Sequence, residues 1–581
     1  MTKKILYVPV FLLLGISAAA QNLDPTIEVS RDYRGKLVEV HKPVPVMTVP
    51  DSVTRFDLDF DYSVFDRPYK GTYEFSPFVM AMRPEDTAER QNVFYLNAGL
   101  GYSLHPAFDL VWEPRMKKTK GKYAMSLYAV HRSYVGNYRT YGTPLPDAEK
   151  VVFKSLHPFR DNKVFGYDCL TNVGTLGRLD YKGGFLGYDV SYLGIHRELP
   201  YSSMSTNGLY NALDVKFHVG SISRTSNAFV YDLKLNYRYF NDLYGIKSGA
   251  DLDGNELHAD IALGGQFKQS HSVIVDFDVD YVNYRQAGGV ASGASFTVVP
   301  HYVFAKGRWH IDAGVKASFN VSNDKAVLYG AGNQYVYPDV HLSFAAIREA
   351  MSIYAGVTGG NDIYSYSGLL ERDHRFNAAF YRTGGCLIDS EIERVNTSLG
   401  LKGRIANCFT YDLKGGYALY GNTVFEGVSL LSALQAVYGY SASQKAYVSL
   451  DWSLNLPMVE FDGGLSYSHF WNTRDSNMDG LFLPARLTGD IAVTYNWKKR
   501  IYAGVDCVFA TARKGSLHDG TDSFEAVVPG FADLGVNFEY RLNRKLSLWL
   551  RGGNLLNMDV QYNLLHAESG INCTIGARLC F

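Results

Sequence analysis

A chain of 581 residues with 57 lysines and arginines against 58 aspartates and glutamates is close to neutral, which argues against a nucleic-acid partner. Hydrophobic residues reach 46% and aromatics 14%, with 43 Tyr, 33 Phe and 55 Gly against 19 Pro. Apolar and polar residues are finely mixed, and past residue 21 no apolar run is long enough for a membrane-spanning helix.

The N-terminus reads as an export signal over residues 1–20. Lys3 and Lys4 form a positive start, Ile5 to Ile16 an apolar stretch, and Ser17 to Ala20 a small-residue cleavage region. The stretch is short for a membrane anchor, and no Cys follows the cleavage region to carry a lipid. Residues 21–70 hold Pro25, Pro43, Pro45, Pro50 and Pro68, a density that favours extended chain. We expect a periplasmic Pro-rich arm or a partial lumen plug. Phe56, Leu58, Phe60 and Tyr62 alternate there with Asp57, Asp59 and Asp61. That stretch fits a strand docking on a partner, a segment folded into a lumen, or the first solvated strand of the fold.

Residues 71–581 are dominated by a period of two, the period of a strand. Leu96, Ala98, Leu100 and Tyr102 alternate with Asn97, Gly99 and Gly101. Val273, Val275, Phe277, Val279 and Tyr281 alternate with Asp276, Asp278 and Asp280. Ile491, Val493, Tyr495 and Trp497 alternate with Asp490, Thr494 and Asn496, and Val536, Phe538 and Tyr540 with Asn537 and Glu539. One face is apolar and the other polar in segments of about ten residues, as in a transmembrane barrel. Lipid tolerates no open sheet edge, so such a sheet must close. The expected fold is an all-β transmembrane antiparallel barrel of about 22 strands, within a range of 20–24. Short periplasmic turns such as Leu542–Lys545 would alternate with long extracellular loops near 134–163, 359–394, 472–484, 513–529 and 554–570. A soluble propeller or sandwich alternates too, but the export signal, the lack of a blade repeat and the terminal Phe581 fit it less well. The expected surroundings are outer-membrane lipid, and a lumen this wide is either plugged or conducting.

Chemistry-bearing motifs are sparse. Asp475, Asn477 and Asp479 open like a calcium loop, but Arg486 stands where the bidentate Glu belongs. Asp251 to Glu256 reads as a second acidic loop. No zinc spacing, phosphate loop or nucleophile elbow occurs, so the reading is no cofactor and no enzyme. Ser468 and His469 are adjacent and so face opposite sides of a strand. Most histidines are expected on the surface or in the aromatic girdles. Cys573 and Cys580 lie about 23 Å apart along an extended strand, too far to bridge. Asp276, Asp278 and Asp280 would form an acidic rib in the lumen, balanced elsewhere by Lys234, Arg238 and Arg578.

The stretch Leu548 to Asn557, with Asn554-Leu555-Leu556-Asn557, then Tyr562, Gly570 and a last strand ending in Phe581, resembles the C-terminus of TonB-dependent receptor barrels. Asp51-Ser52-Val53 and Asp86-Thr87-Ala88 are similar to O-glycosylation sites of Bacteroidetes. The resemblance implies an outer-membrane barrel engaged in solute transport or channel activity. It also marks Ile575, Ala577, Leu579 and Phe581 as similar to the signal read by the outer-membrane assembly machinery. The family's plug domain is not recognisable between the export signal and the first strand, so its substrate loops are not carried over. Thr26, Ile27, Glu28, Val29 and Ser30 are loosely similar to a TonB box, a short strand that adds to a partner's sheet. A second reading is a non-conducting accessory subunit of an outer-membrane assembly or secretion complex, with a lid, plug or complex partner.

Overall fold

A computed structural model of the chain describes residues 93–581 apart from 103–105, 115–121, 140–162, 199–206, 222–228, 245–250, 268–269, 287–288, 324–332, 349, 375, 377–388, 407, 430–434, 473–480, 519–522, 565–566 and 569. The export signal, the Pro-rich arm, the box-like segment Thr26–Ser30 and the start of the expected barrel region at 71 lie outside the described residues.

Strand follows strand. β1 (Phe94–Tyr102), β2 (Ala107–Trp112), β3 (Lys122–Arg139), β4 (Lys163–Tyr181), β5 (Gly184–Glu198), β6 (Asn207–Ser221) and β7 (Phe229–Tyr244) come first. Then come β8 (Leu252–Phe267), β9 (His271–Gln286), β10 (Gly289–Lys306), β11 (Trp309–Ser322), β12 (Gln334–Ile347) and β13 (Met351–Tyr364). Helix α1 (Tyr366–Arg372) precedes β14 (Asp389–Ile405), β15 (Phe409–Ser429), β16 (Gln435–Asn455), β17 (Val459–Asn472), β18 (Leu487–Trp497) and β19 (Ile501–Ala510). The chain ends with β20 (Arg513–His518), β21 (Ser523–Val528), β22 (Phe531–Arg541), β23 (Leu546–Gly553), β24 (Ala567–Glu568) and β25 (Asn572–Cys580).

Each wall strand pairs antiparallel with its chain neighbour. The hairpin β20–β21 stands outside the wall, so β19 pairs with β22. The two-residue β24 only tops β3, so β23 pairs with β25. β25 then pairs with β1, from Tyr95↔Cys580 to Tyr102↔Cys573, and the sheet closes into a 22-strand barrel. No helix among the described residues is long and apolar enough to cross a membrane. Closure needs none, because every wall strand has two partners and no edge is left bare.

Both ends of the described chain meet at one rim, where the amides of Val93 and Phe94 donate to the Phe581 carbonyl. Most connections on that rim are short: 182–183, 268–270, 307–308, 348–350, 406–408, 456–458, 498–500 and 542–545, with 113–121 and 222–228 the two longer ones. In the turn 542–545 the Asn543 side chain accepts from the amides of Lys545 and Leu546 at 2.8 and 2.9 Å, a local substitute for ladder bonds. The opposite rim carries 140–162, 365–388, 473–486, 511–530 and 554–571. All five expected long loops therefore lie at one end. Three strands reach further into them than the sequence suggested, since 134–139, 359–364 and 389–394 are β-structure.

The two faces sort as the alternation requires. On β25, Ile575 is 63% exposed while its neighbour Thr574, turned to the lumen, is 7% exposed. Phe277, Val493, Tyr495, Trp497, Phe538 and Tyr540 are likewise exposed outward. The inner wall explains the abundance of Tyr and Gly. A Cβ on Gly400 would lie 2.1 Å from the Tyr354 ring, and one on Gly416 would lie 2.5 Å from the Tyr447 ring. Inward tyrosines thus lie flat over cross-strand glycines. At the closing seam Trp549 does the same over Gly99 and Gly576, where an added Cβ would stand 2.3 Å from the indole. Its Nε1 donates to Asn97 Oδ1 at 2.6 Å.

One expectation is corrected here. Asp251 to Glu256 is not an acidic loop: from Leu252 onward it is the start of β8, with Leu252 1% exposed. The alternation of Leu252, Gly254 and Glu256 with Asp253 and Asn255 is a strand pattern whose inward members are masked by their variety. Cys169, Cys408, Cys507, Cys573 and Cys580 are unpaired, as spacing indicated for the last two.

Candidate functional site

The site is built around α1. After Tyr364 the period of two gives way to a short helical period. Tyr366, Leu369 and Leu370 stand at i, i+3 and i+4, and all three are buried. Ser365 caps the helix, its hydroxyl accepting from the Gly368 amide at 3.1 Å. The Asp373 amide closes the other end on Leu369 O at 3.2 Å.

This segment leaves the wall between β13 and β14 and folds inward at the long-loop end. Tyr366 stacks on Phe240 of β7, with ring centroids 5.5 Å apart at 14°. With Phe376 it joins a buried cluster that includes Ile195, Tyr210, Leu252, Tyr284 and Tyr438. Polar ties run to a series of strands. Glu256 of β8 accepts from the Ser367 hydroxyl and from the Ser367 amide at 3.2 Å, at the positive end of the helix. Tyr284 of β9 donates to Glu256 at 2.8 Å and accepts the Tyr366 amide at 2.8 Å. Arg238 of β7 grips Asp214 of β6 and reaches Glu371 at 2.5 Å. His374 Nδ1 lies 2.7 and 2.8 Å from the two oxygens of Asp168 on β4. On the other side, Tyr438 of β16 donates to Leu369 O at 3.2 Å.

At the centre is a dehydrated ionic contact. Arg197 of β5 is 1% exposed and Asp242 of β7 is 0% exposed. Their contact is 3.0 Å, Arg197 also donates to Phe376 O at 3.2 Å, and the Tyr366 hydroxyl donates to Asp242 at 2.5 Å. Burial, reinforced by the adjacent Asp242 carboxylate, holds the Tyr366 hydroxyl well above the usual phenol range, so it stays a donor. β4 lies nine strands from β13 in a ring of 22, near the opposite wall. The segment therefore spans much of the mouth and covers the side formed by β5 to β9.

The other side of the mouth stays open as a cavity of about 770 Å³. Its walls come from β2–β4, β19, β22, β23 and β25, its inner boundary from Glu371–His374, and its upper edge from Val560, Tyr562 and Asn563. The Asn554–Asn557 motif sets that edge. Asn554 and Asn557 adopt φ of 47° and 52°, a region asparagine tolerates. Asn554 is buried, donates to Met558 O at 2.8 Å, accepts from the Met558 amide at 2.9 Å and gives its own amide to Asp533. Tyr562 donates to the other Asp533 oxygen at 2.8 Å. The motif is thus a turn that anchors the last long loop against the cavity.

Of the remaining sequence candidates, Asp475, Asn477 and Asp479 lie outside the described residues. Ile575, Ala577, Leu579 and Phe581 line up on the outer face of the closing strand, with Phe581 stacked on Phe94 at 4.9 Å. Asp276, Asp278 and Asp280 do face the lumen. Three histidines lie inside the barrel: His258 is 2.5 Å from Asp280 and His301 2.8 Å from Asp312 on the inner wall, and His374 sits on the inward segment. Cross-strand register creates these pairs, which single-strand reading does not reveal. Sequence reading also missed α1, whose only local signal was the spacing of Tyr366, Leu369 and Leu370.

No family model matches the chain, and no curated protein matches it in sequence. Solved structures do match its fold. The copper transporter OprC is 12% identical, with a TM-score of 0.59 over 85% of this chain and 81% of its own. The FrpB iron transporter from Neisseria meningitidis gives 10% and 0.60 over 85% and 82%. The siderophore receptor PirA from Acinetobacter baumannii gives 9% and 0.56 over 84% and 80%. At these identities the likeness is one of fold.

Proposed function

We propose that this chain is an outer-membrane transport barrel of the TonB-dependent receptor type, exported through the signal at 1–20, which admits a solute from the long-loop end. The observation that carries the reading is a closed wall, apolar outside and polar inside, with a cavity of about 770 Å³ at its mouth. The transport and receptor roles named for the structures of similar fold support the same reading. Nothing on the described residues favours the accessory-subunit alternative, and no enzymatic step is part of the proposal. In this reading Thr26–Ser30 is the strand offered to a TonB-type partner, and the strand ending in Ile575, Ala577, Leu579 and Phe581 is what the assembly machinery recognises.

Planar-bilayer recording of the purified protein tests it, with the intact chain, a form lacking 21–70 and a form with 365–376 replaced by a Gly-Ser linker. We expect little steady conductance from the intact chain and large conductance when the obstructing segment is removed. Absence of both conductance and solute flux in all three forms would overturn the transport reading.

A further inference from the structure

Not every charged side chain lining the mouth cavity has a partner. Most of its charged side chains already have an ionic, hydrogen-bonded or ring partner. Arg132 is held by Asp109 at 2.5 Å, Asp168 by His374, and Glu371 by Arg238. Asp533 accepts from the Asn554 amide and the Tyr562 hydroxyl. Arg372 stacks over the Tyr364 ring at 4.8 Å, and Asp373 is partnered as well. Two charged side chains remain with neither a hydrogen-bond nor an ion-pair partner among the described residues: Asp506 on β19 and Arg551 on β23. Arg551 only approaches the Trp549 ring at 5.4 Å.

Their placement is set by register. Asp506 is opposite Gly535 and Arg551 is opposite Asn537, both on the intervening β22. Two strand spacings and a two-residue offset separate their backbones by roughly 12 Å. The carboxylate leans over Gly535, where a Cβ would stand 2.5 Å from Asp506 Oδ2. Glycine there makes room for that carboxylate. The pair thus presents an anion at one end of a trough and a planar cationic fork at the other. Two like charges would suit a diamine or a diacid; opposite charges suit a molecule that is itself a zwitterion. A guanidinium fork matches a terminal carboxylate in two parallel hydrogen bonds, and a carboxylate matches a terminal ammonium. Three extended residues span about 10 Å.

We propose that this cavity is a binding site for short free-ended peptides of about three residues, with Asp506 receiving the α-ammonium and Arg551 the α-carboxylate. The proposal deepens the transport reading and rests on it, since the peptide would be the solute admitted.

Calorimetric titration of the full-length protein in detergent tests it with triglycine, N-acetyltriglycine and triglycinamide. We expect triglycine to bind and each cap to weaken binding about tenfold or more, the loss of one charge-assisted contact. Asp506→Asn should abolish discrimination against the acetyl cap alone, and Arg551→Gln discrimination against the amide cap alone. Asp506→Glu should keep it, and heat-dependent gel migration checks that each variant is folded. No binding of triglycine, indifference to the caps, or equal loss of both discriminations in either variant would overturn the assignment. Solute flux through the same preparations separates the two readings. A barrel that passes solutes yet ignores the caps loses only the peptide assignment, whereas cap-sensitive binding without flux removes the transport reading.

Discussion

Asp242 sits where a single side chain decides whether the inward segment stays seated. It balances the buried Arg197 and accepts the Tyr366 hydroxyl, so Asp242→Ala strands a guanidinium away from water. Losing one partner of a buried pair costs about 3–5 kcal/mol. That cost falls on the segment rather than on the ladder, because the wall bonds are untouched. Limited proteolysis should therefore cut Asp242→Ala within 365–388 much faster than the parent, while heat-dependent gel migration is unchanged; equal cutting rates would count against the seat. Trp549 tests the seam in the same spirit. The nearest atoms to a methyl on Gly99 are those of the indole and, at 3.2 Å, Ile575 O. Gly99→Ala should lower the temperature at which the barrel unfolds on a gel. In a Trp549→Ala background the added penalty should largely vanish, a coupling of about 0.5–3 kcal/mol. Additive losses would mean that the indole does not lie against Gly99.

At the scale of elements, strands and helix differ in how they can be read. A strand facing hydrocarbon states its own role: Val273, Phe277 and Tyr281 are exposed on the outer face, and nothing distant is needed to infer it. The turn at Asn554 is equally local, since the side chain closes its own backbone. α1 is different. The partners of α1 and the residues just after it, Phe240, Tyr284, Arg197 and Glu256, come from four strands 80 to 180 residues upstream, and only the folded wall brings them together. The lumen pairs, such as His258 with Asp280, belong to the same class. If α1 is seated by its apolar face, Leu370, fully buried, is the position to challenge. Leu370→Asp places an unpaired carboxylate in that cluster. It should unseat the helix, raise bilayer conductance toward that of the linker form, and leave strand content by circular dichroism unaltered. A conductance equal to that of the parent would show that the segment does not obstruct the mouth.

Across the whole molecule, two rims of unequal complexity enclose one polar lumen, and this asymmetry assigns direction. Turns such as 307–308 and 456–458 can follow a wall inserted from the side of its termini, whereas the long connections must already have been carried across. The rim where Phe581 meets Phe94 is therefore the periplasmic one, and the rim carrying 511–530 and 554–571 faces outward. The cavity lies at the outward rim, so under the proposed transport a solute would meet Asp506 and Arg551 before the rest of the lumen. The apolar outer face imposes a second condition, since so large an exposed surface has no place in water. Detergent should be needed to extract the folded protein. A short epitope inserted at 519–522 should bind antibody on intact cells, and the same epitope at 456–458 only after the outer membrane is permeabilised. The reverse accessibility would turn the barrel over and put the cavity on the periplasmic side, where it could not receive a solute from outside.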